Sequence, residues 1–117
     1  MIAKHPVVPE RVRRPPRQGF SWIDRGFLRI DAKRLSPNAV CLYLFLAAVS
    51  DQYGLSFYSD ATVAAQLGLD AYAVAAARDE LIGHDLVAYR YPLSQVLSLP
   101  SEPSRNALPT PLFSAEA

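Results

Sequence analysis

The chain has 117 residues, half of them hydrophobic, and its 12 Lys and Arg against 11 Asp and Glu leave a net charge of +1. That is the length of one domain with enough apolar content to bury a core, which excludes a wholly disordered chain. The near-even charge balance excludes a uniformly basic nucleic-acid coat and an acidic tail protein.

Along the chain the charge divides. Residues 1–35 hold nine cations (Lys4, Arg11, Arg13, Arg14, Arg17, Arg25, Arg29, Lys33, Arg34) and three anions (Glu10, Asp24, Asp31), a net +6. Residues 36–99 hold two cations (Arg78, Arg90) and six anions (Asp51, Asp60, Asp70, Asp79, Glu80, Asp85), a net −4. Residues 100–117 add −1 from Arg105, Glu102 and Glu116. Prolines mark the same boundaries: Pro6, Pro9, Pro15 and Pro16 near the start, and Pro100, Pro103, Pro109 and Pro111 near the end. Proline lacks the donor that helix and sheet need, so both ends are expected to be extended or disordered. The organisation expected is a basic flexible arm over 1–19, a compact domain over 20–99 and a Pro-rich disordered tail over 100–117. The first residues contain no uninterrupted apolar block of the kind a secretory signal needs.

Trp22 and Phe27 are the expected anchors where the packed region opens, and Asp24–Ile30 reads as a short helix or turn that sets Phe27 and Leu28 on the core. Ser36-Pro37 is a strong helix start, because serine can cap an orphan backbone N–H and proline is favoured at the first helical position. That helix is expected over about 37–51, ending near Tyr53-Gly54. Its strongly apolar stretch, Ala39–Val49, is 11 residues long, about half of the ~20 a bilayer requires, so no membrane span is expected. It is apolar on nearly every face, as in a helix buried on more than one side. Its outer face offers a homodimer surface; ordinary core is the plainer reading.

Leu55–Tyr58 reads as a short strand. Ser59 is a second N-cap, opening a helix over Asp60–Leu67 with Ala61, Ala64 and Leu67 at core spacing. Gly68 is a natural stop, Leu69 a plug for the turn, and Asp70 a cap for a third helix from Ala71 to about Ile82. Val74, Ala77, Leu81 and Ile82 form its expected inner face. Leu86–Tyr91 and Gln95–Leu99 read as paired strands with Tyr91-Pro92-Leu93-Ser94 between them. The fold class expected is mainly α with a small β-hairpin.

Two short helices joined by a tight glycine-containing turn are a helix-turn-helix signature, and a hairpin directly after them makes a wing. Here Tyr58-Ser59-Asp60, Ala64-Ala65-Gln66-Leu67-Gly68-Leu69, Val74, Leu81 and Asp85-Leu86-Val87 resemble the winged helix-turn-helix superfamily over about residues 55–91. Phe20–Asp24, Leu42–Leu46, Gly54–Tyr58 and Gln95–Pro100 are similar to small bacterial helix-turn-helix proteins associated with mobile elements. The resemblance implies a winged helix-turn-helix fold, double-stranded DNA as partner and a role in transcription regulation or mobile-element control in the cytoplasm. The glycine usual before the wing is replaced by Asp85, a residue that tolerates the left-handed region better than most.

The residues expected to touch DNA fall into three groups. Arg11, Arg13, Arg14 and Arg17 supply planar bidentate donors for phosphate or a narrow minor groove; the plain alternative is a solubilising tail. Tyr72 and Arg78 on helix 71–82 are the side chains able to reach into a major groove, with Thr62 and Gln66 of the preceding helix at the backbone. Ala75, Ala76, Asp79 and Glu80 on the same helix supply few donors and some repulsion, so a pure packing role stands beside that reading. Arg90 at the wing is read as a phosphate contact or a solvated arginine, and Tyr89 and Tyr91 beside it as packing.

Catalysis has little support. Ser59 or Ser94 with His84 lacks a nucleophile-elbow glycine pattern, and Asp79 and Glu80 are helix neighbours that point apart. Cys41 is the one cysteine and His5 and His84 share no ligand spacing, so no metal or cofactor is expected. The rival to a non-enzymatic DNA-binding protein is a protein-interaction module whose acidic winged domain docks a recombinase, transposase or replication partner.

Overall fold

A computed structural model describes residues 4–100. The expected Pro-rich tail lies outside the described residues, apart from Pro100.

Arg25 opens a run of tight helical turns that continues through a π-helical turn at Phe27–Asp31 and a 3-10 turn at Ala32–Arg34. This is the short helix expected near Asp24–Ile30, extended to Arg34. Its buried apolar side chain is Phe27, 1% exposed and stacked on Tyr43 with ring centroids 3.9 Å apart. Leu28 and Trp22, expected on the core, are both exposed, Trp22 at 78%.

The first long helix, α1, spans Pro37–Val49, and the Ser36 side chain accepts from the Ala39 N–H as its cap. Its buried residues Ala39, Leu42, Tyr43, Leu46 and Ala47 are spaced i, i+3, i+4, i+7, i+8, one stripe toward the core. Cys41, Leu44 and Ala48 point to solvent. The helix stops at Val49, short of the expected Asp51, because the chain turns extended at Ser50. The Asp51 carboxylate then accepts from the Tyr53 and Leu55 N–H groups at 2.8 and 3.0 Å, holding a tight turn instead of another helical one.

Strand β1 is only Leu55–Ser56. Helix α2 spans Asp60–Leu67, capped by the Ser59 side chain on the Thr62 N–H and closed by Gly68 at φ +69°. Its buried residues are Val63 and Ala64, with Leu67 half-buried and Ala61 exposed. The core stripe is therefore rotated from the expected one toward valine, which has more apolar area to bury than alanine. Helix α3 spans Ala71–Gly83, capped by Asp70 on the Ala73 N–H. Val74, Ala77 and Leu81 are its buried face, as expected, while Ile82 is exposed. The chain leaves it through Asp85 at φ +61°.

Strands β2 (Val87–Arg90) and β3 (Leu93–Val96) pair antiparallel, with Arg90 opposite Leu93 and Val87 opposite Val96. Only Tyr91-Pro92 connects them. The second strand starts two residues earlier than expected, since a two-residue turn lets Leu93 and Ser94 join the ladder while the donor-less proline sits outside it. β1 pairs with the far side of β3, Leu55 opposite Gln95, giving a three-stranded antiparallel sheet in the order β1-β3-β2 rather than a lone hairpin. The core lies between this sheet and the three helices and is built on Phe27, Leu42, Val74, Leu81, Leu86 and Val87. No helix among the described residues is long and apolar enough to cross a membrane.

Candidate nucleic-acid interface

The arm carries its charges outward. Arg11 lies in a short turn at Pro9–Arg11, and Arg17 in a second turn closed by the Gly19 N–H on the Pro16 carbonyl at 3.1 Å. Arg13 and Arg14 lie between these turns, and all four arginines are exposed. The arm is tied to the body just beyond Phe20, where the Ser21 hydroxyl donates to the Ala48 carbonyl near the C-terminal end of α1.

Thr62 and Gln66 are exposed on α2. The Thr62 hydroxyl also lies 2.9 Å from that of Ser59, so part of its bonding capacity serves the cap. Tyr72, in the first turn of α3, is 89% exposed and has the reach its sequence position suggests. Arg90 is exposed at the end of β2 beside the hairpin turn.

Arg78 is placed differently. Its guanidinium forms an ion pair with Asp60 at the start of α2, and its central carbon lies 4.2 Å from the centre of the Tyr89 ring. The side chain is largely buried and ties α2 to α3 and β2. Arginine suits this position because its flat, weakly hydrated cation can stack on a ring while forking to a carboxylate. Glu80 is also engaged: its carboxylate accepts from the Ser36 N–H at 2.6 Å and the Ser36 hydroxyl at 2.7 Å, across the start of α1. With Arg78 turned inward, the outer surface of α3 presents Tyr72, Ala76 and Asp79 without a free cation.

Aromatic exposure adds a feature that sequence reasoning missed. Phe57, Tyr58 and Tyr91 are exposed and, with Tyr89 and Pro92, line a groove of about 440 Å³ between the start of α2 and the hairpin turn. Its signal in the sequence is the pair of adjacent aromatics, Phe57 and Tyr58, immediately before the Ser59 cap, where the short strand ends at Ser56 and leaves both rings outside the sheet. Tyr89 has the packing role expected of it, whereas Tyr91 is 82% exposed.

Helix α2, the turn, α3 and the hairpin thus bring Thr62, Gln66, Tyr72 and Arg90 onto one small body. The arm root shares a groove with Val96–Leu99, at the end of β3 away from the hairpin turn. No group of His, Cys, Asp and Glu suited to a metal ion occurs among the described residues. Compared with family models, curated proteins and solved structures, the chain matches none.

Proposed function

We propose that this chain is a winged helix-turn-helix protein that binds double-stranded DNA without catalysing a reaction, as a transcriptional or mobile-element regulator. Support for the fold reading comes from the element order helix, strand, helix, tight turn, helix, hairpin, with the first strand paired beside the last. The observation that carries the function is the arm, whose Arg11, Arg13, Arg14 and Arg17 are all exposed. Exposed arginines can meet phosphates without first giving up an internal partner. Residues 4–19 could span up to roughly 50 Å if extended, enough to follow a duplex beside the body. Tyr72 and Arg90 then add local contacts, and α3 supplies orientation more than base readout.

A second reading is favoured by one observation. The outer face of α3 carries Asp79 and no free cation, which suits a protein partner such as a recombinase, transposase or replication subunit better than a phosphate strand. Gel-shift titration of the full chain and an arm-deleted chain against random duplex DNA, at two salt concentrations, separates the two. The DNA reading expects a shift at low salt that weakens with salt and is lost without the arm. No shift of the full chain at low salt overturns it.

A further inference from the structure

A second groove lies at the root of the arm, lined by none of the arginines proposed to meet DNA. It is a groove of about 550 Å³ between the arm root, the turn after α1 and the segment following β3. Phe20, Trp22 and Tyr53 line it, yet all three rings are strongly exposed. Tyr43 and Ala47 form part of its floor and Leu99 part of its rim. Its walls are held in place: the Ser21 hydroxyl donates to the Ala48 carbonyl, and the Val96 N–H donates to the Gly54 carbonyl at 2.8 Å. Three large rings facing water around a supported hollow are the composition of a docking site, since burying them would recover apolar area that the fold leaves wet.

The chain itself points to the occupant. Leu97, Ser98 and Leu99 run along this groove, so the chain passes Pro100 at its edge. The next stretch, 101–107 (Ser-Glu-Pro-Ser-Arg-Asn-Ala), is polar, and its Glu102 and Arg105 cancel in charge. It is followed by 108–113, Leu-Pro-Thr-Pro-Leu-Phe, the apolar cluster of the last 18 residues. A polar spacer followed by an apolar proline-flanked cluster is what a tethered ligand needs. Prolines restrict the unbound segment and lower the entropy lost on docking, while Leu112 and Phe113 supply the side chains to bury. Residues 100–107 can reach roughly 28 Å, ample for a return to a groove whose rim includes Leu99. Tethering raises the local concentration of the cluster to on the order of millimolar.

We propose that this groove is the docking site for residues 108–113 of the same chain, with Leu112 and Phe113 covering Trp22. Trp22 is the single tryptophan, so it reports on this groove alone. In the full chain its emission should be blue-shifted from that of a water-exposed indole and weakly quenched by acrylamide. The full-length double variant Leu112→Ser/Phe113→Ser should shift the emission to the red and raise the quenching constant severalfold, with far-UV circular dichroism unchanged. Nuclear Overhauser contacts between the Phe113 ring and the Trp22 indole provide a direct second readout. Parent emission already at the water-exposed position, or no such contacts, overturns the proposal. A blue shift that appears only as protein concentration rises overturns it in favour of a second copy as the occupant.

Discussion

Gly54 and Gly68 both adopt positive φ, +81° and +69°, but they differ in what surrounds them. A Cβ on Gly68 would meet nothing within 4 Å, so its replacement by alanine meets only the backbone penalty of the left-handed region, about 1–2 kcal/mol. A Cβ on Gly54 would lie 2.5 Å from the Val96 carbonyl oxygen, a backbone atom held by the sheet. Gly54→Ala must therefore displace the β1–β3 pairing as well as strain the turn. Urea denaturation should rank Gly54→Ala as clearly more destabilising than Gly68→Ala; equal midpoints would mean that the turn after α1 yields freely. Gly68 was legible as a helix stop because glycine after an apolar stripe is a local signal. The close approach at Gly54 was not, because Val96 lies 42 positions away in sequence.

Local chemistry also explains which elements could be read in advance. Ser36, Ser59 and Asp70 each cap the helix expected of them, since a cap is a contact between residues three apart. The faces of those helices were less legible. α1 is apolar all round, so its pattern could not choose between the Leu42 and Leu44 sides; packing against Phe27 and α3 chose Leu42. Trp22 and Phe27 are equally suited to anchor the core, and Phe27 does so; that it stacks on Tyr43 while Trp22 stays exposed is decided only by the fold. In the candidate site, the exposed arginines of the arm followed from composition, whereas the inward turn of Arg78 depends on Asp60 and Tyr89, brought to it only by the fold. Glu80 is a similar case. It accepts from both the N–H and the hydroxyl of Ser36, and that hydroxyl in turn accepts from the Ala39 N–H. The relay joins α3 to the positive end of α1, so Glu80→Ala should cost about 1–2 kcal/mol, discounted for its partial exposure. Because Ser36 serves both bonds, Ser36→Ala and Glu80→Ala should be non-additive in a double-mutant cycle. Additive losses would show that the two side chains act separately.

At the scale of the whole molecule, the net charge of +1 conceals a division along the chain: +6 over residues 1–35 and −4 over residues 36–99. Within residues 36–99 the fold removes still more positive charge from reach, because Arg78 is bound to Asp60 and Arg90 is the remaining cation of that stretch. Beyond the arm, exposed cations lie at Arg25, Arg29 and Lys33 in the turns before α1 and at Arg90; the proposed DNA reading assigns most of the electrostatic affinity to the four clustered arm arginines, and that sets a quantitative expectation. Each phosphate neutralised contributes about 0.9 to the slope of log affinity against log salt, so four arm arginines contribute up to about 3.6. Replacing Arg11, Arg13, Arg14 and Arg17 together by alanine should lower the slope by an amount approaching that value and weaken binding to all duplex sequences alike. Arg78→Gln provides the contrast: it should reduce folding stability yet leave the salt slope of the folded protein nearly unchanged, since its guanidinium already has an internal carboxylate. Titrations of parent and both variants across a salt series measure the three slopes directly. A slope that falls with Arg78→Gln and holds without the arm arginines would move the contact surface from the arm to α3, and would require Arg78 to leave Asp60 when DNA arrives.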